Sequence, residues 1–377
     1  MFGASSALEL RSRGWVVTLI DPHPLPFEGA SSTDVSKLVR MDYGSDEFYH
    51  ELAEAALAGW DRWNAEWPRP PYHEDGLLVL ARGPMVAGGF EHESRRVLGE
   101  RGYETERLSA SALAERFPAW RPERYPDGYL NPRAGWAESG FVVEHLVDVA
   151  RRAGVSIHQD GFDSVLSKGS RAAGVSTTSG RRIESDVVLV CAGAWTPALL
   201  PWLSDRLWAT AQPVLHFTPA DPERFRGPSF PPWAADIAGS GWYGFPATAK
   251  GTVKIGHHGK GARVDPRARG EVPAEHVAHT RAFLREALPA LADAPLAERR
   301  VCLYCDSFDG DFLIDRDPDR DGLVVASGGS GHAFKFAPVL GQVVADVIER
   351  RANRWAVRFR WRAAGPSRAE EARFVGD

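Results

Sequence analysis

Residues 2–21 read FGASSALELRSRGWVVTLID, and the fold turns on how this stretch is parsed. Phe2–Arg13 reads as a helix, and Gly14 follows as its C-terminal stop. Trp15–Ile20 is a short apolar run of strand type that ends at Asp21. A helix, a glycine, a buried strand and an acid at the strand's end form the second half of a dinucleotide-binding βαβ unit. The first half needs a strand leading into Gly-x-Gly-x-x-Gly, and here Gly3 alone can serve as its last glycine. Either that strand lies upstream of Met1 or the chain does without it. The plainer alternative is a free amphipathic N-terminal helix.

Two later stretches have a similar grammar. Asp186–Cys191 (DVVLVC) is a buried strand that runs into Ala192–Trp195, and Leu323–Ser327 is a final buried strand that enters Gly328–Gly331 and then a helix to about Arg351. Between the two ends lie a Ser/Thr/Asp loop over Gly29–Ser36, a long helix over Asp46–Trp63 closed by Pro68, Pro70 and Pro71, and a strand at Leu77–Leu80. Val143, Leu146, Val147 and Ala150 have helical spacing, capped by Gly154. Trp242–Pro246 and Thr252–His258 read as antiparallel strands, Ala274–Leu288 as a helix, and Val301–Cys305 and Phe312–Asp315 as strands. The charged, Pro-broken run from about Pro84 to Arg133 suggests a second domain. The expected fold is α/β with an α+β insert: a Rossmann-like domain apparently lacking its first strand, built from residues 1–80, 140–210 and 295–377. It is interleaved with an antiparallel-sheet substrate domain over 81–139 and 211–294. The basic stretch Arg354–Arg362 reads as a docking strand.

Composition narrows the function. The chain has 377 residues, 44% apolar and 25% charged, an ordinary soluble globular balance. A net charge of −5 argues against a nucleic-acid or anionic-membrane surface. No apolar run approaches the ~20 residues that span a bilayer, and no secretory signal is visible. Three cysteines imply a reducing compartment, so a cytoplasmic location is expected; the chain is also expected to be a monomer. Of 45 basic residues only six are lysine: Lys37, Lys168, Lys250, Lys254, Lys260 and Lys335. A chain that otherwise uses arginine keeps lysine where a compact, tunable ammonium is needed.

Glycine turns between a buried strand and a helix aim N–H groups and a dipole at an anion, as Gly328–Gly331 and, more loosely, Gly193 would. Tight packing of helix on strand is the plainer reading. Several such turns suit a flavin better than a nicotinamide. A nucleophile elbow fails because His332 stands where G-x-S-x-G needs glycine. Cys302 and Cys305 lack a second cysteine pair, and His257, His258, His276 and His279 lack metal-ligand spacing, so no metal is expected. The odd separation of Cys302 and Cys305 on a strand points their thiols to opposite faces, which removes a thioredoxin-like pair. Lys254 and His258 are four apart on a strand and so share a face with Gly256 between them. They either line a pocket or form a solvated face.

Five ordered segments then match a family: Ser31–Gly44 (SSTDVSKLVRMDYG), Trp242–Pro246 (WYGFP), Lys254–His258 (KIGHH), Val301–Asp315 (VCLYCDSFDGDFLID) and Gly329–Phe336 (GSGHAFKF). From Gly3 to about Arg362 the chain resembles the FAD-dependent amine oxidases of the monomeric sarcosine oxidase type. That group includes N-methyltryptophan, pipecolate, saccharopine and fructosyl-amino-acid oxidases. The resemblance implies that Cys302 bonds covalently to the flavin, and that Arg40 and Lys335 grip the substrate carboxylate. Lys254 would activate oxygen, Tyr243 and His258 would line the substrate cavity, and His332 would lie by the ring. Asp21 would bind the adenosine ribose, with Gly3, Ser31, Ser32, Gly193, Trp195, Gly329, Gly331 and Lys335 also on the FAD side. Lys37 stands where sarcosine-type members carry arginine, which is more like the pipecolate, saccharopine and fructosyl branches. His258 stands where the fructosyl branch tends to place glutamate, which counts against a fructosyl substrate.

The expectation is therefore an oxidase of a small secondary amino acid, sarcosine-like or pipecolate-like, with FAD as cofactor and dioxygen as co-substrate. A flavin amine dehydrogenase, a fructosyl-amino-acid oxidase and a truncated, cofactor-free chain are the alternatives.

Overall fold

The computed structural model describes residues 1–376. In chain order, the elements that position the site begin with α1 (Phe2–Ser12), β1 (Thr18–Asp21), β2 (Lys37–Val39), α2 (Glu47–Glu66), β3 (Leu77–Ala81), β4 (Asp127–Asn131), α3 (Ser139–Arg152) and β5 (Ser156–Gln159). They continue with β6 (Val188–Val190), β7 (Leu207–Phe217), β8 (Trp233–Ala235), β9 (Trp242–Gly244), β10 (Val253–His257), α4 (Ala274–Ala287), β11 (Leu296–Ser307), β12 (Leu313–Arg316), β13 (Leu323–Ser327) and α5 (Ala337–Ile348).

The N-terminal stretch folds much as its pattern dictates. α1 buries Ala4, Ser5, Ser6, Ala7 and Leu10, and Gly14 follows it with φ 91°, a backbone that glycine adopts without Cβ strain. The strand begins three residues later than the apolar run, at Thr18, because its parallel partner offers only Ser156–Gln159. Val16, just before it, is 96% exposed. The small residues of α1 let α5 come close: a Cβ on Gly341 would lie 2.6 Å from the Ser5 carbonyl oxygen.

β6 pairs in parallel with β13 (Val188 opposite Leu323), and β12 pairs antiparallel with β13. All five residues of β13 are buried, as expected for a strand covered on both faces. β1 and β6 do not pair with each other. Between these parallel pairs and α1, α2, α3 and α5 lies the largest apolar core, centred on Leu52, Trp60, Phe312, Phe336 and Leu340. The Trp60 indole also donates 2.7 Å to the Lys335 carbonyl, so truncation to alanine would cost about 3–5 kcal/mol.

The second architectural unit is a nine-stranded sheet. β7 lies between β10 and β11, both antiparallel to it, with His216 opposite Lys254 and Gln212 opposite Cys302. The sheet continues through β9 and β8 to β3 and β4, with one parallel pairing at β8–β3. Helix α4 covers one face through Phe283, Leu284 and Ala287. On β11 the two cysteines face opposite ways: Cys305 packs with Leu207 and Leu313, its Sγ 3.3 Å from Ser327 Oγ, while Cys302 lies among Lys37, Tyr304 and Lys254.

Two expectations are corrected. Gly328–Gly331 does not open directly into a helix. Ser330 takes a left-handed φ of 43°, a 3-10 turn spans Phe334–Phe336, and α5 follows it from Ala337. Arg354–Arg362 is not a strand. Phe359 sits fully in the core, Arg358 pairs with Asp46 and the buried Asp311, and Arg362 pairs with Asp309, so the arginines serve acids of the fold that a docking strand would not meet. No helix of the described residues is long and apolar enough to cross a membrane.

Candidate active site

One cleft collects the polar residues that the sequence singles out. Lys37, Arg40, Tyr243, Lys254, His258, Gly331, His332 and Lys335 all line it, against an apolar wall that includes Leu38, Phe90, Ile237, Phe245 and Phe334. The strand period places Lys254 on the cleft face of β10. His258, one residue past the strand's end, remains on that face. The room left by Gly256 is filled: a Cβ there would lie 2.5 Å from the Tyr243 hydroxyl oxygen.

Lys254 is 1% exposed and donates to Asp34 Oδ2 at 2.5 Å and to the Ser36 carbonyl at 2.7 Å. Lys37 reaches the same carboxylate oxygen at 3.1 Å. Burial lowers Lys254 to about 8 despite the pull of Asp34. Burial works to raise Asp34, but Lys254, Lys37 and Arg300 hold its carboxyl well below the usual range. At neutral pH this is a charged, hydrogen-bonded pair. Asp34 lies in the loop read only as Ser/Thr/Asp-rich, and nothing in the sequence marks it as the anchor of two lysines.

The other wall is built round Tyr43. Lys335 Nζ donates to the Tyr43 hydroxyl at 2.9 Å and to the His332 carbonyl at 2.8 Å. Tyr43 lies 3.0 Å from His332 Nδ1, and His332 Nε2 lies 3.0 Å from the Gly310 carbonyl. Because a carbonyl only accepts, Nε2 carries the proton and Nδ1 accepts from Tyr43. Burial lowers His332 to about 4, which keeps that neutral tautomer. The Arg40 guanidinium stacks over the Tyr43 ring at 4.7 Å. Two cations thus meet on one aromatic, and burial together with Arg40 pushes Lys335 well below its ordinary value.

Glu370 is the residue that sequence reasoning missed. It enters the cleft from the C-terminal segment and accepts from His258 Nε2 at 2.8 Å. Nothing in EEARF distinguishes it from a solvated glutamate.

The residues expected to meet FAD lie partly elsewhere. Asp21 ends β1, and burial raises its carboxyl. The Met1 ammonium is 3.4 Å from Ser32 Oγ and feels Cys191 and Asp21, so Asp21, Ser32 and Gly3 gather at the N-terminus of α1. Ser31 opens the adjoining 3-10 turn. The Gly193 carbonyl accepts from Ser327 Oγ at 3.2 Å, and Trp195 packs edge-on to Phe27. Gly329 approaches Phe2 and Ala333, and the Tyr304 ring takes the space a side chain on Gly331 would need. Toward Cys302, Ser36 Oγ and Arg300 Nε are buried without a hydrogen-bond partner among the described residues. Unspent donors beside Lys37 and Lys254, with a thiol in the same cluster and an acid by the helix terminus, fit a flavin dinucleotide. Among the described residues no group of His, Cys, Asp and Glu is arranged to hold a metal ion.

Comparison with known proteins agrees. Residues 1–347 match the FAD dependent oxidoreductase (DAO) family. The chain is 30% identical over 360 residues to an N-methyl-L-tryptophan oxidase of Salmonella arizonae, covering 91% of each. It is 28% identical over 356 residues to a monomeric sarcosine oxidase of a Bacillus species, covering 92% of this chain and 89% of that one. Among solved structures, the deglycating fructosamine oxidase of Aspergillus fumigatus (Amadoriase II) in complex with FSA is similar with a TM-score of 0.85 at 26% identity. That match covers 100% of this chain and 91% of the other.

Proposed function

The chain belongs to the FAD dependent oxidoreductase family, and from that premise we propose that it oxidises the C–N bond of a small secondary amino acid to an imine, with dioxygen reduced to hydrogen peroxide. The observation that supports this reading is that two basic side chains gathered on Tyr43, Arg40 and Lys335, line one cleft with the buried ammonium of Lys254. Bound FAD supplies the two-electron chemistry that links amine oxidation to oxygen reduction.

The residues do the rest. Arg40 and Lys335 fix the substrate carboxylate and so set the position of the α-carbon and nitrogen. The apolar wall excludes water while the amine, having lost its proton, is oxidised, and water then hydrolyses the released imine. Lys254 holds a fixed positive charge where negative charge develops on oxygen. Lys37, Ser36 and Lys254 would hold the flavin ring, Cys302 would bind it covalently, and Asp21 and Ser32 would meet the adenosine end.

A fructosyl amino acid is the second reading, favoured by the likeness to fructosamine oxidase. Glu370 also bears on it, because it sets a carboxylate beside His258, where the sequence alone shows none.

The test is a spectrum of the purified protein, acid precipitation, and peroxide assays with sarcosine, pipecolate and fructosyl-glycine. A yellow pellet and peroxide from a secondary amino acid support the proposal. Flavin reduction without peroxide would replace it with a dehydrogenase. Colourless protein would favour the cofactor-free alternative.

A further inference from the structure

The receptor for a substrate carboxylate already contains a carboxylate. Glu370 Oε1 is held by His258, while Oε2 lies 3.7 Å from Arg40 Nη2. Glu370 Oε2 and Arg40 Nη1 are both buried without a hydrogen-bond partner among the described residues, and both residues line the cleft. These are an acceptor and a donor left open side by side.

Glu370 is gripped on both flanks. The Arg368 N–H donates to the Phe308 carbonyl at 2.8 Å, and the Ser45 hydroxyl donates to Glu371 at 2.5 Å. Arg373 bonds both oxygens of Asp306 at 3.3 and 3.0 Å, and the Phe374 N–H donates to the His258 carbonyl at 3.0 Å. Ala372 between them is fully buried. A carboxylate so anchored stays when substrate arrives.

A charge count follows. Asp42, also on the cleft, is satisfied by Tyr129 at 2.6 Å and Asn131 at 3.0 Å and adds a second buried acid. A bare anion docking on Arg40 would face Glu370 across a few ångströms of buried space, even with Lys335 close by on Tyr43. A ligand that brings its own positive charge removes the conflict.

We propose that Glu370 is a specificity-determining residue that selects a substrate carrying a cationic nitrogen beside its carboxylate, a zwitterion, over a simple carboxylate. This rests on the reading of Arg40 and Lys335 as the carboxylate receptor.

Calorimetry on the holoenzyme tests it with two ligands of one shape, N,N,N-trimethylglycine and 3,3-dimethylbutanoate. They differ only by a quaternary nitrogen in place of a carbon, and neither has an amine lone pair to oxidise. The wild type binds the zwitterion at least tenfold tighter. Glu370→Gln, which keeps the bond from His258, weakens the zwitterion at least tenfold and leaves the plain carboxylate unchanged or tighter. Glu370→Asp, which keeps the charge, retains the preference. Equal tightening of both ligands in Glu370→Gln would mean that Glu370 merely obstructs the receptor, and no change in either would mean a structural role; each overturns the proposal. Arg40→Met serves as the separate check. It weakens both ligands if the receptor is where it is placed, and if it weakens neither, the receptor reading fails whatever Glu370 does.

Discussion

Asp34 and Lys254 meet at 2.5 Å, Oδ2 to Nζ, with each side chain 1% exposed, and Lys37 shares the same oxygen. The Lys254 ammonium, which lines the same cleft as Arg40 and Lys335, is therefore held by an acid rather than left free. Its charge is a property of the pair.

That charge has a pH limit. Burial sets Lys254 near 8, so the ammonium is present at pH 7 and lost above. The rate constant for reoxidation of the reduced holoenzyme by oxygen should fall as pH rises through about 8. Lys254→Met should be slower by about 100-fold or more and flat over that range, with reduction by substrate spared. Stopped-flow measurement of the two half-reactions decides this, and equal losses in both would sink the oxygen role.

Asp34→Asn leaves the buried Lys254 and the partly buried Lys37 without their shared anion. Breaking such a pair from one side costs about 3–5 kcal/mol, readable by chemical denaturation. The acid also pulls Lys254 upward, so its removal should shift the fall in reoxidation to lower pH. If the variant matches the wild type in both respects, the pair does neither.

The two cysteines of β11 should separate cleanly. Cys302→Ser should release yellow colour into the supernatant on acid precipitation. Cys305→Ser, altered on the far face beside Ser327, should keep the colour in the pellet. Colour retained in the Cys302 variant would remove the covalent assignment.

Acid should loosen the fold through its buried histidines. Burial holds His216 and His332 at about 4, against about 6.5 for a free histidine. Lys254, Arg300 and Lys37 reinforce this at His216 against Asp34, and Lys335 and Arg40 do so at His332 against Glu370. Between these values the unfolded chain binds more protons, so stability is fully present above about 6.5 and drains as pH falls towards 4. Each histidine accounts for about 3 kcal/mol over that window. His216→Gln should show a shallower loss of melting temperature between pH 6.5 and 4 than the wild type. An identical slope would refute its part.

Much of this architecture was legible because it rests on local pattern. Leu323–Ala326 is apolar because the strand is covered on both faces, and the spacing of Lys254 and His258 carried through to the lining of the cleft. The opposite facing of Cys302 and Cys305 followed from the strand period alone. Boundaries failed where a neighbour decides them, as at Trp15–Val17, where the pairing partner runs out. The arginines of 354–362 read as a docking strand because their acids, Asp46, Asp309 and Asp311, are distant in sequence. Asp34 and Glu370 stayed hidden for the same reason. Each gains its role from a partner more than 100 positions away.

The phenol of Tyr243 lying where Gly256 lacks a side chain has a practical consequence for redesign. The depth of the cleft there is set by bare main chain, so positions 243 and 256 form one coupled locus rather than two. Alanine at 256 evicts the tyrosine, and only a smaller residue at 243 readmits it, so the double change should be milder than the sum of the single ones. A library that varies the two sites independently would consist mostly of combinations that cannot share the same space. One that varies them together would open new cleft shapes.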